Sequence, residues 1–321
     1  MRFLPTEEQV AFAEAIDEIV EGSGGADIAR SWADGDTAPG LALWEQFAEL
    51  GLLGLRVSEE AGGFGGSRSD LVVVFERLGY HGVPGPYLET VALLPGLVDD
   101  TVKAELAAGA IATAAVDGTA PAALDAALAT HRFLVRDGAL HAGDIAEELT
   151  SVAPTRRLAR LTPTGTPTPL EAGALDAALN EASLAAAATL VGAGERMLDE
   201  AVSYAKVREQ FGRPIGEFQA LKHQLADVRI ALSFARPLVW NAALRAAAPD
   251  GDRAISAAKV AAADAAQRAA RTSLQVHGAI GYTAEHTLRI WLGLAPALAA
   301  VWGTSDFHRA RIARDILAKE R

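Results

Sequence analysis

The stretch YAKVREQFGRPIGEFQALKHQLAD, residues 204–227, decides the fold of this chain together with QVHGAIGYTAEH, residues 275–286. In the first stretch, Arg208 brings a permanent charge to a helix end, and Phe211 with the glycine after it turns the chain. In the second stretch, Gln275 offers an amide that both donates and accepts hydrogen bonds, and two glycines let the backbone approach a ligand closely. Each motif alone is common in proteins. The two in this order and at this spacing are specific.

Together the two segments resemble the carboxy-terminal helical domain of the acyl-CoA dehydrogenases, in which they enclose the outer half of FAD at a subunit boundary. The resemblance covers residues 173–317 well, and the amino-terminal region more loosely through TEEQ, LWEQFAELGLLGL and EEAGGFGG. Ala279 stands where the family usually has glycine. The contacts with the pyrophosphate and adenylate of FAD that the resemblance implies are Arg208, Gln210, Phe211, Gln219, Gln275, Val276, His277, Gly278, Ala279 and Thr304.

Composition and texture predict a mainly α fold in three parts. A chain of 321 residues is longer than one hydrophobic core usually supports, and its many alanines favour helix. We expect an N-terminal helical domain over 1–107, a reduced β-domain with a linker over 108–172, and a C-terminal four-helix bundle over 173–321. This is an acyl-CoA dehydrogenase-like arrangement. The linker is expected at TPTGTPTPL, residues 162–170, because proline cannot continue a helix.

Local signals place several helix boundaries. Thr6, followed by Glu8 and Gln9, is typical of a helix N-cap. Pro237 is expected to bend or end the helix that contains it. The glycines of EEAGGFGG, residues 59–66, favour a turn over a phosphate loop, because no Gly-Lys-Ser/Thr follows them.

Charge and cysteine content limit the possible partners. The net charge of −12 argues against nucleic acid and against an anionic membrane. The absence of cysteine excludes disulfides and thiolate zinc sites. No metal site is expected at His286, because no HExxH pattern accompanies it. The amino terminus has no signal-peptide pattern, and we expect a cytoplasmic protein.

The chain departs from the family where a base should abstract the α-proton of the thioester. In one branch that base is a glutamate before Gly-Thr, and here the place is taken by Trp302, which cannot accept a proton. In another branch the base lies about seven helical turns before Arg208, which gives Ala182, with Glu181 rotated away by roughly 100°. Glu285 is the remaining weak candidate, and a role in bracing its turn is favoured over catalysis. No residue of this chain is assigned as catalytic.

The middle region departs as well, because 108–172 lacks the threonine-glutamate-proline and glycine-serine-aspartate signatures that wrap the flavin ring in full-length relatives. The resemblance therefore implies the short subunit of a heteromeric (α2β2) dehydrogenase, similar to those of bacterial steroid catabolism. A longer homologous subunit would supply the catalytic glutamate, an acyl-CoA would be the substrate, and an electron-transfer acceptor would reoxidise FAD. Two alternatives stay open: a homomeric enzyme with Glu285, or less favourably Glu181, as base, and a scaffold without flavin.

Overall fold

The structure, a computed structural model, describes residues 3–318. Helices come first and last, and a small sheet lies between them. The α-helices are α1 (Glu7–Gly22), α2 (Ala26–Ala33), α3 (Ala38–Glu49), α4 (Arg68–His81), α5 (Asp100–Ala107), α6 (Ala174–Val207), α7 (Gln219–Arg245), α8 (Gly251–His277), α9 (Leu288–Ala300) and α10 (Ser305–Ala318). The strands are β1 (Ala112–Val116), β2 (Ala123–Leu124), β3 (His131–Arg136), β4 (Ala139–Leu149), β5 (Leu158–Pro169), β6 (Glu209–Gln210) and β7 (Arg213–Pro214).

Capping boxes start two helices of the first domain. Thr6 accepts a hydrogen bond from Gln9 N at 3.2 Å, and the Gln9 side chain accepts one from Thr6 N at 3.0 Å. The predicted cap of α1 is therefore confirmed. Ser67 and Asp70 repeat the arrangement at α4. Each box satisfies orphan N–H groups of a first helical turn, and so fixes where the helix begins.

The middle region is a five-stranded sheet in the order β1-β3-β4-β5-β2, with β1 and β3 parallel and the other pairs antiparallel. The expected linker at 162–170 is wrong, because residues 158–169 form β5 against β4. Its prolines at 163, 167 and 169 occupy alternate positions, and beyond Ala159 only β4 pairs with this strand in the described sheet. A strand tolerates proline where the nitrogen faces an open edge.

The 34-residue helix α6 is the central element, in contact with α4, α7, α8 and α9. It is long and apolar enough to cross a membrane, but 61% of its most apolar window is buried inside the fold. It is therefore a core helix. Its crossing with α4 is made by two glycines, because a Cβ on Gly79 would overlap the Thr189 carbonyl and a Cβ on Gly192 would overlap the Glu76 carbonyl.

The carboxy-terminal bundle consists of α6, α7 and α8, with α9 and α10 completing it against α8. Pro237 was expected to bend or end its helix. It does not end the helix, because α7 continues to Arg245. Proline removes one hydrogen bond to the carbonyl four residues earlier, and that residue, Ser233, is exposed to water. Water can therefore replace the lost donor.

Buried charges lie between the first domain and the sheet. Glu89, on a π-helix over Leu88–Leu93, is 2% exposed. Burial raises the pKa of Glu89 to about 7, against the attraction of the buried Arg156. Burial likewise raises the pKa of Asp125 to about 6, although Arg157 donates to it at 3.0 Å. Arg156 thus lies near two carboxyl groups, those of Glu89 and Asp125, whose pKa values are raised by burial.

We predict that Gly192→Ala destabilises the protein strongly. The added methyl group must push α4 away from α6, which costs roughly 1–3 kcal/mol of unfolding free energy. Gly22→Ala is the matched control, because a Cβ there meets nothing within 4 Å, and alanine favours helix. Denaturant unfolding of both variants measures the difference. Equal stability of the two variants would contradict the close crossing.

The raised pKa of Glu89 predicts a pH dependence of stability. Because the folded state holds this proton more tightly than the unfolded state, the contribution of Glu89 to stability falls as pH rises toward 7. Relative to Glu89→Gln, the wild-type unfolding free energy should drop by about 2 kcal/mol between about pH 5.5 and about pH 7.5. The comparison with the variant is needed because His308, whose pKa burial lowers to about 4, acts with the opposite sign. Glu285→Gln, an exposed site, should leave the profile unchanged.

Candidate functional site

A tight hairpin follows the end of α6 and carries the first predicted segment. Arg208 leaves the helix in an extended conformation while its N–H still donates to Tyr204 O at 2.9 Å. Strands β6 and β7 pair Gln210 with Arg213, and the two residues between them, Phe211 and Gly212, have φ of +54° and +78°. Positive φ at both positions is the geometry of the tightest hairpin turn. Phe211 is pushed outward and is 92% exposed.

The second segment lies at the end of α8. His277 is the last helical residue, and Gly278 leaves the helix with φ of +65° into a 3-10 turn over Gly278–Tyr282. The His277 ring bonds Ser273 O through Nδ1 at 2.8 Å and stacks on Tyr204 with centroids 4.5 Å apart. Burial lowers the pKa of His277, which favours the neutral ring. Val276 packs beside Ala201 and Ala205 of α6.

The fold therefore brings the two predicted segments to the same end of the bundle. Their outward residues form an open surface, because the exposed members are Arg208, Gln210, Phe211, Gln219, Gln275, Gly278 and Ala279. Val276 and His277 are 6% and 5% exposed, so their side chains support this surface from inside the fold.

This surface fits the outer half of a flavin dinucleotide. Arg208 makes no ion pair with any described residue, so its charge is available to a pyrophosphate. Phe211 offers an exposed ring and Gln275 an exposed amide for a base. A Cβ built on Gly278 would meet nothing within 4 Å, so the backbone there is open to close approach. The next residue, Ala279, is exposed, and its methyl group does not close the surface.

The place of the family glutamate is filled by a buried tryptophan. Trp302 is 1% exposed with φ of +56°, and Gly303 follows with φ of +107°. The Trp302 carbonyl accepts hydrogen bonds from Ser183 Oγ at 3.0 Å and from His308 Nε2 at 3.2 Å. The indole has only an N–H donor and no group that could accept a proton, and its side chain is enclosed by the fold.

The residue that holds this turn belongs to none of the motifs found in the sequence. Lys259 of α8 is 1% exposed and donates to the carbonyl oxygens of Ala299, Val301 and Gly303 at 3.3, 3.1 and 3.2 Å. Burial lowers the pKa of Lys259 to about 7. The available signal was a lysine on the apolar face of an alanine-rich helix, a position that a charged side chain occupies only when it has partners. Thr304, predicted to contact FAD together with the two segments, is exposed and accepts from Phe307 N at 3.2 Å at the start of α10. It does not join their surface, because Trp302 beside it is bonded to Ser183 near the start of α6, whereas Arg208 caps the other end of that helix.

A cavity of about 500 Å³ adjoins Trp302 between α6, α8, α10 and a turn of the β-domain. Its guanidinium groups are largely paired: Arg253 bonds Asp315 at 2.8 Å, and Arg311 lies 3.3 Å from Asp252. The lining residues are Thr119, Asp176, Leu179, Ser183, Pro249, Asp252, Arg253, Trp302, Phe307, Arg311, Arg314 and Asp315.

Glu181 is committed to a structural role. Arg56 lies 3.3 Å from one of its oxygens, and Arg68 donates to the other. Both oxygens of this carboxylate are therefore engaged by arginines of the first domain. Its neighbour Ala182, which occupies the counted position of the base, is fully buried.

Glu285 lies on the surface near the end of the second segment. Its main-chain oxygen accepts a hydrogen bond from Arg30 at 3.4 Å, but its carboxylate has no partner among residues 3–318. The turn is instead held by Thr283 Oγ1, which donates to Ile280 O at 2.8 Å, and by His286 Nδ1, which accepts from Leu288 N at 3.1 Å. Within the described range, no group of three or more histidine and carboxylate side chains could hold a metal ion.

Comparison with known proteins gives matches over both helical domains. The model described as "Acyl-CoA dehydrogenase, N-terminal domain" matches residues 6–96, and "Acyl-CoA dehydrogenase, C-terminal domain" matches 173–317. Acyl-CoA dehydrogenase IpdE2 of Mycobacterium tuberculosis is 36% identical, over 89% of this chain and 90% of that protein. The fold is similar to the ChsE4-ChsE5 complex of Mycobacterium tuberculosis, with a TM-score of 0.86, 22% identity and 99% of each chain covered. It is also similar to the Tcur3481-Tcur3483 steroid ACAD G363A variant, with 0.84, 24% and 98% of each chain.

We predict that Lys259→Met lowers stability by about 3 kcal/mol, because three buried carbonyl groups lose their donor while the packed volume is nearly kept. The turn over 299–303 should loosen, which a rise in Trp fluorescence wavelength and in amide exchange at the turn would report. Lys206→Met, at an exposed position of α6, serves as control. A Lys259→Met protein as stable as this control would show that the three contacts are not needed.

Proposed function

Because the chain belongs to the acyl-CoA dehydrogenase family, whose cofactor is FAD, we propose that it is the short subunit of a heteromeric acyl-CoA dehydrogenase. A longer homologous subunit supplies the catalytic glutamate and the pocket for the flavin ring. The single observation that carries this proposal is the contrast within one chain. The surface around Arg208, Gln275 and Gly278 is open to solvent, whereas Trp302, at the position that the family resemblance gives to the base, is buried.

Three groups act on the cofactor in this proposal. Arg208 binds the pyrophosphate through charge-assisted hydrogen bonds, and its fixed place after the last turn of α6 orients it. Gln275 and the exposed backbone at Gly278 receive the adenylate. When bound, FAD supplies the acceptor for the hydride that leaves the β-carbon of the acyl thioester.

In this proposal neither Trp302 nor Glu181 serves as a catalytic base. Trp302 occupies the position from which a carboxylate would face the flavin ring, and Lys259 with Ser183 and His308 holds the turn that carries it. The Glu181 carboxylate forms ion pairs with Arg56 and Arg68. The proton of the substrate is therefore taken by a group on the longer subunit.

The substrate proposed is a bulky, steroid-derived acyl-CoA ester. The support is the resemblance seen in the sequence and, at the level of fold alone, the similarity to a structure described as a steroid ACAD. We place the complex in the cytoplasm as an α2β2 tetramer, where an electron-transfer acceptor takes up the electrons. The acyl group enters by analogy with relatives, since fold does not fix substrate.

The test is co-expression with a homologous longer subunit, followed by measurement of flavin absorbance and of acyl-CoA oxidation. We expect the complex to be yellow and active, and the solitary chain to be colourless and inactive. Arg208→Ala in this chain should weaken FAD binding about 10- to 100-fold, as expected for the loss of a charge-assisted hydrogen bond to a phosphate. Lys206→Ala, an exposed cation in the last turn of α6, is the matched control.

Two outcomes would overturn the proposal. If the solitary chain retains flavin and oxidises acyl-CoA, it is a self-sufficient enzyme. If Arg208→Ala leaves the flavin content of the complex equal to that of the Lys206→Ala complex, the exposed cation does not hold the cofactor.

A further inference from the structure

A buried arginine between the first domain and the sheet has no partner for its side chain. Arg156 lies in the loop between β4 and β5 and is 9% exposed. Its guanidinium group donates no hydrogen bond to residues 3–318 and forms no ion pair within 4 Å with any of them. Burying a guanidinium group without partners is costly, because its hydration is lost and nothing replaces it. The surroundings of Arg156 therefore suit a species that accepts its hydrogen bonds.

Two carboxyl groups attract Arg156 from other elements, and neither neutralises it. Asp125, in the turn after β2, accepts a hydrogen bond from Arg157 Nε at 3.0 Å, so that arginine balances its charge. Glu89 attracts Arg156 across more than 4 Å, and burial raises the pKa of Glu89 to about 7. Below that pH, Glu89 holds its proton. The four residues together then carry one uncompensated positive charge.

The backbone keeps Arg156 and Glu89 apart. Thr90, next to Glu89, donates through Oγ1 to Ala112 O at 2.7 Å and accepts from Ala112 N at 3.2 Å, which fixes the π-helix to β1. Arg156 N donates to Ala153 O at 2.9 Å, which fixes the loop on the other side. Because both walls are bonded in this way, the two side chains stay separated across the contact between domain and sheet.

The chemistry of these walls specifies the ligand. The Arg156 guanidinium has only donors, and a protonated Glu89 adds an O–H, so a species between them must accept hydrogen bonds from both. The small exposed fraction of Arg156 admits only a small species, and the single uncompensated charge favours a monovalent one. We propose that Arg156 and the Glu89 carboxylic acid bind a small monovalent inorganic anion, of the class of chloride and nitrate. This anion joins the first domain to the sheet, and neither flavin nor a partner subunit takes part.

Thermal unfolding of the full chain at pH 6 tests the proposal. Sodium chloride should raise the unfolding midpoint above that in sodium gluconate of the same ionic strength, because gluconate is too large for this place. The rise should saturate, and should reach about 2–4 °C when chloride is at ten times its dissociation constant. An equal midpoint in the two salts would mean that water alone lies beside Arg156, and would overturn the proposal.

The binding of chloride should weaken as pH rises. With a pKa of about 7, Glu89 is mostly protonated at pH 6 and mostly ionised at pH 8, so chloride should bind about tenfold more weakly at pH 8. Arg156 and Asp125 are the other charged groups that act on Glu89. Burial raises the pKa of Asp125 to about 6, so its ionisation changes the affinity in the same direction.

Variants separate the two binding groups. Glu89→Gln keeps an N–H donor at every pH, so it should keep the chloride response and lose its dependence on pH. Arg156→Met should abolish the response, whereas Arg271→Met, which removes an exposed arginine of α8, should respond like the wild type. Equal responses of Arg156→Met and Arg271→Met would overturn the proposal. Where Arg156→Met does not fold, Glu89→Gln decides, because a response that still falls tenfold between pH 6 and pH 8 would contradict the role of Glu89.

Bromide locates the site directly. Crystals of the chain soaked in sodium bromide at pH 6 should show an anomalous scattering peak between Arg156 and Glu89. Water density at this place without an anomalous signal would contradict the proposal. The outcome is independent of the proposed function, because the experiment contains no flavin and no acyl-CoA.

Discussion

The close crossing of α4 and α6 is the constraint on which the rest of the structure depends. Gly79 lies against the Thr189 carbonyl and Gly192 against the Glu76 carbonyl, so no side chain separates the two backbones at these points. Trp291 of α9 donates to Gly79 O at 3.0 Å, which joins a third helix to the same point. Because protein interiors are close-packed and cannot absorb an extra methyl group cheaply, this crossing fixes where both ends of α6 lie.

The two ends of α6 have different chemistry. At its start, Glu181 is tied to two arginines of the first domain, and Ser183 holds the turn of Trp302. At its far end the helix stops at Arg208, and the hairpin presents charge and aromatic surface to the solvent. One rigid helix thus connects the buried turn of Trp302 to an open surface that carries a charge and an aromatic ring. The proposed function assigns the second of these to the cofactor.

Buried polar groups hold the turn that carries Trp302 in one conformation. Lys259 donates hydrogen bonds to three carbonyl oxygens of one turn, and His308 Nε2 donates a hydrogen bond to the Trp302 carbonyl oxygen. Such groups are costly to bury unless they are fully paired, so each pairing also prevents the turn from adopting another shape.

The sequence by itself determined the helical class, the cap at Thr6 and the motif around Arg208 and Gln275, because these depend on neighbours within a few residues. It failed at the Thr-Pro run, where composition suggested a linker but pairing with β4 makes a strand, and at Pro237, where the exposed face of α7 tolerates the missing hydrogen bond. Only the tertiary structure decided that Lys259 holds the Trp302 turn, that Glu181 is paired with Arg56 and Arg68, and that Phe234 of α7 is exposed. Those facts depend on residues far apart in the chain, and burial and pairing between them exist only once the helices have packed.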